Sequence, residues 1–222
     1  MSDNKNAGDR IEVLCFTDPL CCWSAALQPH LEKLKNEFPG NIHIRYCMSA
    51  MIADWNTYND PLFSVQKPIQ MGPVWMEARH TTGADINDHI WVSDPPSSSF
   101  PACLAVKTAE IQSSQAADRM LFALREAVMK KGLNIAKESV ISAVAEELAA
   151  LMPGEFDLER FKREYNQSKC RNLLRQDLKE VKLHQVGRFP TLIVRKKGYQ
   201  SVMLTGYRPY ETLVSAFEYL KE

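Results

Sequence analysis

IEVLCFTDPLCCWS, residues 11–24, is the stretch on which the fold turns. Ile11 to Phe16 is nearly continuous in apolar character, which suits a strand buried on both faces. Thr17-Asp18-Pro19 ends that strand. A helical pattern follows from about Cys22 to Phe38, with Leu27, Leu31, Leu34 and Phe38 on one face, and Pro39-Gly40 stops it. Ile42, Ile44, Tyr46 and Met48 then alternate with His43, Arg45 and Cys47, the period-two signature of a second strand. Residues 11–48 therefore read as one βαβ unit, and Cys21 falls at the junction of its buried strand and its helix.

That junction is where chemistry is expected. The first turn of a helix presents unpaired N–H groups and the positive end of the helix dipole. A thiol there should have a lowered pKa and exist partly as thiolate, the form that attacks disulfides. A cysteine at a helix start also serves as a small buried hydrophobe. Cys15, Cys47, Cys103 and Cys170 fall within strand or helix patterns and read that way.

Outward from the first unit, residues 53–100 hold Trp55, Trp75 and Trp91 among many turn formers, with one helix near 67–81. Asp94-Pro95-Pro96-Ser97-Ser98-Ser99 is a loop, and Ser99 is placed to cap the helix that passes Cys103 and Val106. Met120, Leu121, Leu124 and Val128 form the face of a further helix; Val140, Ile141, Val144, Leu148 and Leu151 form another. Asp157 is placed to cap a helix carrying Leu158, Phe161 and Tyr165, and the next pattern runs to about His184. Leu192-Ile193-Val194, a Lys196-Lys197-Gly198 turn, and Val202 and Leu204 read as a hairpin before a closing helix with Leu213, Phe217 and Leu220.

The 222 residues are 45% hydrophobic and 24% charged, an ordinary globular composition. At about 150 residues per domain, the chain holds one large domain or a small one with an insertion. Lys+Arg 27 balance Asp+Glu 27, and without a basic excess no nucleic-acid partner is expected. No apolar run reaches the roughly 18 residues of a membrane span. Met1–Arg10 lacks the basic-then-apolar order of a secretory signal, so a cytoplasmic protein with a flexible tail over 1–10 is expected. The five histidines form no metal-binding spacing, and no metal is expected.

The order βαβ, helices, long helix, ββ, helix is that of an α/β thioredoxin fold with an all-helical insertion. The core halves would be residues 11–50 and 166–222, and the insertion 51–165. The motif Asp18-Pro19-Leu20-Cys21-Cys22-Trp23-Ser24 resembles the active site of the DsbA-like thioredoxin superfamily, including its FrnE- and YjbH-like members, in which Asp-Pro and Cys-Pro-Trp-Cys open the first helix. The resemblance implies that Cys21 is the attacking cysteine, with Cys22 where proline is common and Trp23 matching the tryptophan. Ser24 replaces the second cysteine, which makes the site monothiol: Ser24 can hydrogen-bond the thiolate but cannot resolve a mixed disulfide. Phe189-Pro190-Thr191 matches the family's cis-proline turn, which binds the substrate backbone. Thr205-Gly206-Tyr207-Arg208-Pro209 matches a glycine turn. Insertions in relatives wall one side of the cleft, which makes Trp91 a substrate-binding candidate, with a plain structural tryptophan as the equal alternative. The implied function is a thiol–disulfide oxidoreductase or isomerase acting on protein or glutathione mixed disulfides, with glutathione as co-substrate and no bound cofactor. The same motif with Ala25-Ala26-Leu27-Gln28-Pro29 also looks like the YjbH-type adaptors, which deliver a transcription factor to a protease. A kappa-type glutathione-dependent isomerase or transferase shares the fold but typically has serine at the position of Cys21.

Overall fold

A computed structural model describes residues 10–220, so the tail expected over 1–10 lies almost wholly outside the described residues. The first unit is β1 (Ile11–Thr17), α1 (Cys22–Glu37) and β2 (Ile42–Met48). β1 and β2 pair in parallel, with Ile11 opposite Ile42 and Thr17 opposite Met48. Six helices follow: α2 (Met71–Thr82), α3 (Ile90–Ser93), α4 (Phe100–Glu110), α5 (Ser114–Met129), α6 (Glu138–Leu151) and α7 (Leu158–Glu164). The chain returns through α8 (Ser168–Leu183), β3 (Thr191–Arg195), β4 (Val202–Thr205) and α9 (Tyr210–Tyr219). The sheet order is β2-β1-β3-β4, with β3 antiparallel to both β1 and β4.

The apolar run in β1 has the physical meaning its pattern suggests. Val13 and Cys15 face the large core with Leu27, Leu31 and Leu34 of α1. Leu14 and Phe16 face the other way, into a smaller cluster with Cys47 and Ile193, closed by Val181, Val186 and Phe189. Both faces of the strand are thus covered, as a central strand with a parallel neighbour requires.

Local signals set the insertion's helix boundaries. Ser113 accepts from Ala116 N–H at the start of α5, and Asp157 accepts from Arg160 N–H at the start of α7. Gly83 ends α2 in the left-handed conformation, φ +70°. Ser99 precedes α4, but its hydroxyl is not a cap: it donates to Asp18 at 2.9 Å. Trp91 belongs to α3 and is 1% exposed. Its ring packs edge-on against Trp75 at 5.2 Å and Trp55 at 6.0 Å, so it forms the insertion's interior and not a wall of any cleft.

Insertion and core are fastened by a buried ion pair. Lys107 of α4 and Asp177 of α8 are each 1% exposed and meet at 2.9 Å. Asp177 also accepts from Arg45 Nη1 at 3.0 Å and Met48 N–H at 2.9 Å, both in β2. Lys107 also pairs with Glu110. Removing Asp177 leaves buried Lys107 with Glu110 as its remaining carboxylate and the Met48 N–H without its acceptor. Asp177→Ala should therefore lower unfolding stability by about 1–3 kcal/mol, read as a fall in the urea midpoint; a loss below about 0.5 kcal/mol would show the pair to be dispensable.

Candidate functional site

Cys21 occupies the N-cap of α1, with φ −82° and ψ 106°. The strand ends at Thr17, the Asp18–Leu20 turn reverses the chain, and the sulfur is delivered to the first turn of the helix. It lines a cleft of about 470 Å³ shared by four segments. These are the start of α1, the loop 53–63 after β2, α2 through Val74 and Trp75, and residues 186–189 after α8. Trp23 stands at this cleft with its ring stacked on Phe63 at 6.4 Å and tilted against Tyr207 at 6.3 Å.

The far end of the chain reaches the same cleft. The Phe189–Pro190 peptide is cis, and Phe189 lines the cleft with Cys21. Pro190 C=O accepts from Gly206 N–H at 2.7 Å. Thr191 is buried at the start of β3, and its Oγ1 donates to Arg188 C=O at 2.7 Å. Of the three turn residues, Phe189 is the one whose atoms line the cleft. Pro190 and Thr191 fix the turn that presents it.

The sulfur's electrostatics differ from the expectation drawn from its position. Cys21 is 5% exposed, and this burial pushes its pKa above the ordinary thiol value. The Ser24 hydroxyl and the Ser24 N–H act against that rise, the Asp18 carboxylate adds to it, and Arg125 opposes it. A helix N-terminus lowers a thiol pKa where water also reaches the sulfur; here desolvation is the larger effect. Ser24 Oγ is itself buried without a hydrogen-bond partner of regular geometry, so the resting thiol leaves it a donor with nothing to satisfy it. A thiolate beside it would supply the missing acceptor. Cys22 also lines the cleft; its Sγ meets Val74 C=O of α2 at 3.9 Å, and burial holds its pKa well above the usual value.

Two residues have roles at the site that the sequence did not assign: Asp18 within the motif and Arg125 behind it. Asp18 is 0% exposed. Its carboxylate accepts from Leu20 N–H at 2.9 Å, Met51 N–H at 2.7 Å, Ser49 Oγ at 3.2 Å, Ser99 Oγ at 2.9 Å and Cys103 Sγ at 3.5 Å. Arg125 reaches in from α5 and donates to Gln28 Oε1 at 2.6 Å, Thr17 Oγ1 at 2.5 Å and Asp18 C=O at 3.5 Å. Arg125 had a signal in the sequence, since a charged residue four after Leu121 and three before Val128 lies on that helix's apolar face.

Comparison with known proteins agrees with this geometry. A family model described as Thioredoxin matches residues 14–215. The ClpXP adapter protein SpxH of Halalkalibacterium halodurans is 29% identical over 212 residues, covering 94% of this chain and 67% of that protein. The protein of the same name from Bacillus subtilis is 28% identical over 186 residues, covering 82% of this chain and 57% of that one. The chain thus spans about two thirds or less of these relatives' length. Among solved structures, a Nitrosomonas europaea protein described as a candidate protein disulfide isomerase superposes with a TM-score of 0.77 at 19% identity, over 94% of this chain and 96% of that one. The cytosolic disulfide reductase DsbM from Pseudomonas aeruginosa superposes with a TM-score of 0.67, also at 19% identity, over 94% and 95% of the two chains. At these identities the structures establish a shared fold.

The electrostatics make a pH prediction. Site-resolved alkylation of Cys21, followed by mass spectrometry, should show a midpoint above the free-cysteine value of about 8.5. Ser24→Ala should move it further upward, since it deletes a donor that favours the thiolate. A midpoint below that of free cysteine would mean that the helix terminus, not desolvation, governs the sulfur.

Proposed function

Because the chain belongs to the thioredoxin family, in its DsbA-like form, we propose that it is a thiol–disulfide oxidoreductase of monothiol type. The observation that carries this is the placement of Cys21 at the α1 N-terminus, on the wall of a cleft it shares with Phe189 of the cis-proline turn. In the proposed reaction the Cys21 thiolate attacks one sulfur of a substrate disulfide. A mixed disulfide forms on Cys21 and the other substrate sulfur leaves as thiolate. Ser24 favours the attacking anion but has no sulfur with which to displace the bound partner. Cys22 is the next residue in the chain, and a disulfide between neighbouring residues is strained. An outside thiol such as glutathione therefore attacks the mixed disulfide, regenerates Cys21 and carries the partner away as a new disulfide. Such a cycle fits a reducing cytoplasm, as does a chain whose six cysteines are all free. Among the described residues, no helix is long and apolar enough to cross a membrane.

A second reading is favoured by the sequence relatives, which are adapter proteins by name. In it the cleft binds a protein client and the sulfur is secondary. A kappa-type isomerase or transferase is disfavoured by the cysteine at position 21.

Substitution separates the two leading readings. Cys21→Ser should reduce turnover of a glutathionylated protein substrate by at least about 100-fold, as loss of a covalent nucleophile does. Ser24→Cys should supply an internal resolving thiol, so that a mixed disulfide on Cys21 is released without added glutathione. A Cys21→Ser protein that still captures the same client from a cell extract, with no turnover in the wild type, would establish the adaptor reading instead.

A further inference from the structure

Tyr58 lies on loop 53–63 and is the one tyrosine among the described residues that line the cleft with Cys21. The loop that carries it is fixed by its own bonds. Asp54 C=O accepts from Thr57 N–H at 3.1 Å and from Tyr58 N–H at 2.9 Å. Just after it, Asp60 and Val65 exchange backbone hydrogen bonds at 2.9 and 3.1 Å, which close the next turn. The ring is held as well. It packs edge-on against Trp55 at 5.1 Å, and Trp55 is anchored by its Nε1–H to Pro96 C=O at 2.9 Å. A phenol mounted in this way has little freedom left to lose when something binds to it.

The Tyr58 hydroxyl has no hydrogen-bond partner among the described residues, whereas those of Tyr46, Tyr165 and Tyr210 each have one. An open hydroxyl alone would mean little, since Tyr199 and Tyr207 share it. Tyr58 differs in its surroundings. Burial holds its pKa above the ordinary phenol value, and Asp60, Cys21, Asp18 and Cys22 each add to the rise. The phenol therefore keeps its proton where a thiolate forms beside it: it is a donor to an anion in the cleft and not a second anion. In thiol–disulfide exchange the charge is carried first by the attacking sulfur and then by the leaving one. Ser24, on α1, serves the attacking sulfur. Tyr58 reaches the same cleft from a different wall.

We propose that Tyr58 is a catalytic hydrogen-bond donor to the sulfur that leaves the substrate when Cys21 attacks. The proposal deepens the monothiol reading and rests on it. The exchange balances: the Cys21 thiolate forms a bond to one substrate sulfur, the substrate S–S bond breaks, and its electron pair goes to the other sulfur, which leaves as thiolate. Tyr58 Oη–H donates to that developing anion and keeps its proton. A preorganised donor aimed at charge that appears only as the bond breaks favours the transition state over the ground state.

The test times the attack of the reduced full chain on two uncharged disulfides, read at Cys21 by mass spectrometry. Dipyridyl disulfide has a leaving group stabilised by its own ring; the disulfide of 2-mercaptoethanol has a basic one that needs help. Tyr58→Phe removes the hydroxyl and keeps the ring on Trp55. It should slow attack on the 2-mercaptoethanol disulfide by roughly tenfold, the size of one hydrogen bond to a charged group, and slow attack on dipyridyl disulfide far less. Alkylation of Cys21 by iodoacetamide, which releases no thiolate, should be unchanged. A merely structural role would slow all three alike. The wild type supplies a check that needs no variant: its rate should fall less from the acidic to the basic leaving group than that of N-acetylcysteine, once both are corrected for thiolate fraction. A fall as steep as that of N-acetylcysteine overturns the proposal even if Tyr58→Phe does not fold, and so does a variant that slows neither disulfide or both equally. Failure of Cys21 to form a mixed disulfide with either reagent would instead overturn the monothiol reading and, with it, this role for Tyr58.

Discussion

The buried carboxylate of Asp18 is the constraint on which the site is built. Placing an ionisable group in a dry interior is unfavourable unless hydrogen bonds replace its water. Here five donors do so, and they come from three separate segments: the motif turn through Leu20, the loop after β2 through Ser49 and Met51, and the start of α4 through Ser99 and Cys103. Without Asp18, a buried donor such as the Leu20 N–H would have no partner, at about 1–3 kcal/mol. The carboxylate therefore fixes the position of the α1 N-terminus relative to both the sheet and the insertion. Arg125 holds the same turn from the opposite side through neutral acceptors and the Asp18 carbonyl. A negative and a positive group thus flank the turn that delivers the sulfur, and their effects on it have opposite sign.

A thiol whose pKa is raised by burial behaves differently from the acidic thiol of a strong oxidant. It contributes less thiolate at neutral pH, but the thiolate it forms is a better nucleophile. It is also a poorer leaving group, so a partner bound to it is displaced slowly. Under the proposed monothiol reading, this and the serine in place of a second cysteine would make a site that captures a sulfur and keeps it until another thiol arrives. The adaptor reading makes no use of that property, since in it the cleft holds a client without a bond to sulfur; what divides the two readings is whether Cys21 bonds to the partner at all.

Much of this was legible before the structure. The βαβ unit, the hairpin, the closing helix and the position of Cys21 followed from periodicity and from turn formers such as Pro39-Gly40 and Lys196-Lys197-Gly198, because local patterns determine local structure. The desolvation of Cys21 was not legible. It depends on how loop 53–63, α2 and residues 186–189 come together around the start of α1, and no local pattern reports such long-range packing. Trp91 was misplaced for the same reason: a tryptophan in a turn-rich stretch looks exposed until Trp55 and Trp75 are seen to enclose it. Ser99 looked like a cap because the local rule was satisfied, and a tertiary acceptor claimed its hydroxyl.

The insertion is part of the site and not an addition to it. Asp18 receives Ser99 and Cys103 from α4, Arg125 comes from α5, and Val74 and Trp75 of α2 complete the cleft. At the other end of α4, Lys107 is buried against Asp177 of the core helix α8, which in turn binds β2. One helix of the insertion is therefore pinned at both ends to the thioredoxin core, near the sulfur by the Asp18 hydrogen bonds and away from it by an ion pair. A core trimmed of residues 51–165 would expose the faces of β1 and α1 that this insertion covers and would leave Asp18 without Ser49's neighbour Met51, Ser99 or Cys103. It would keep the CCWS motif while losing the environment that sets its chemistry, which is why the motif alone does not define the function of this chain.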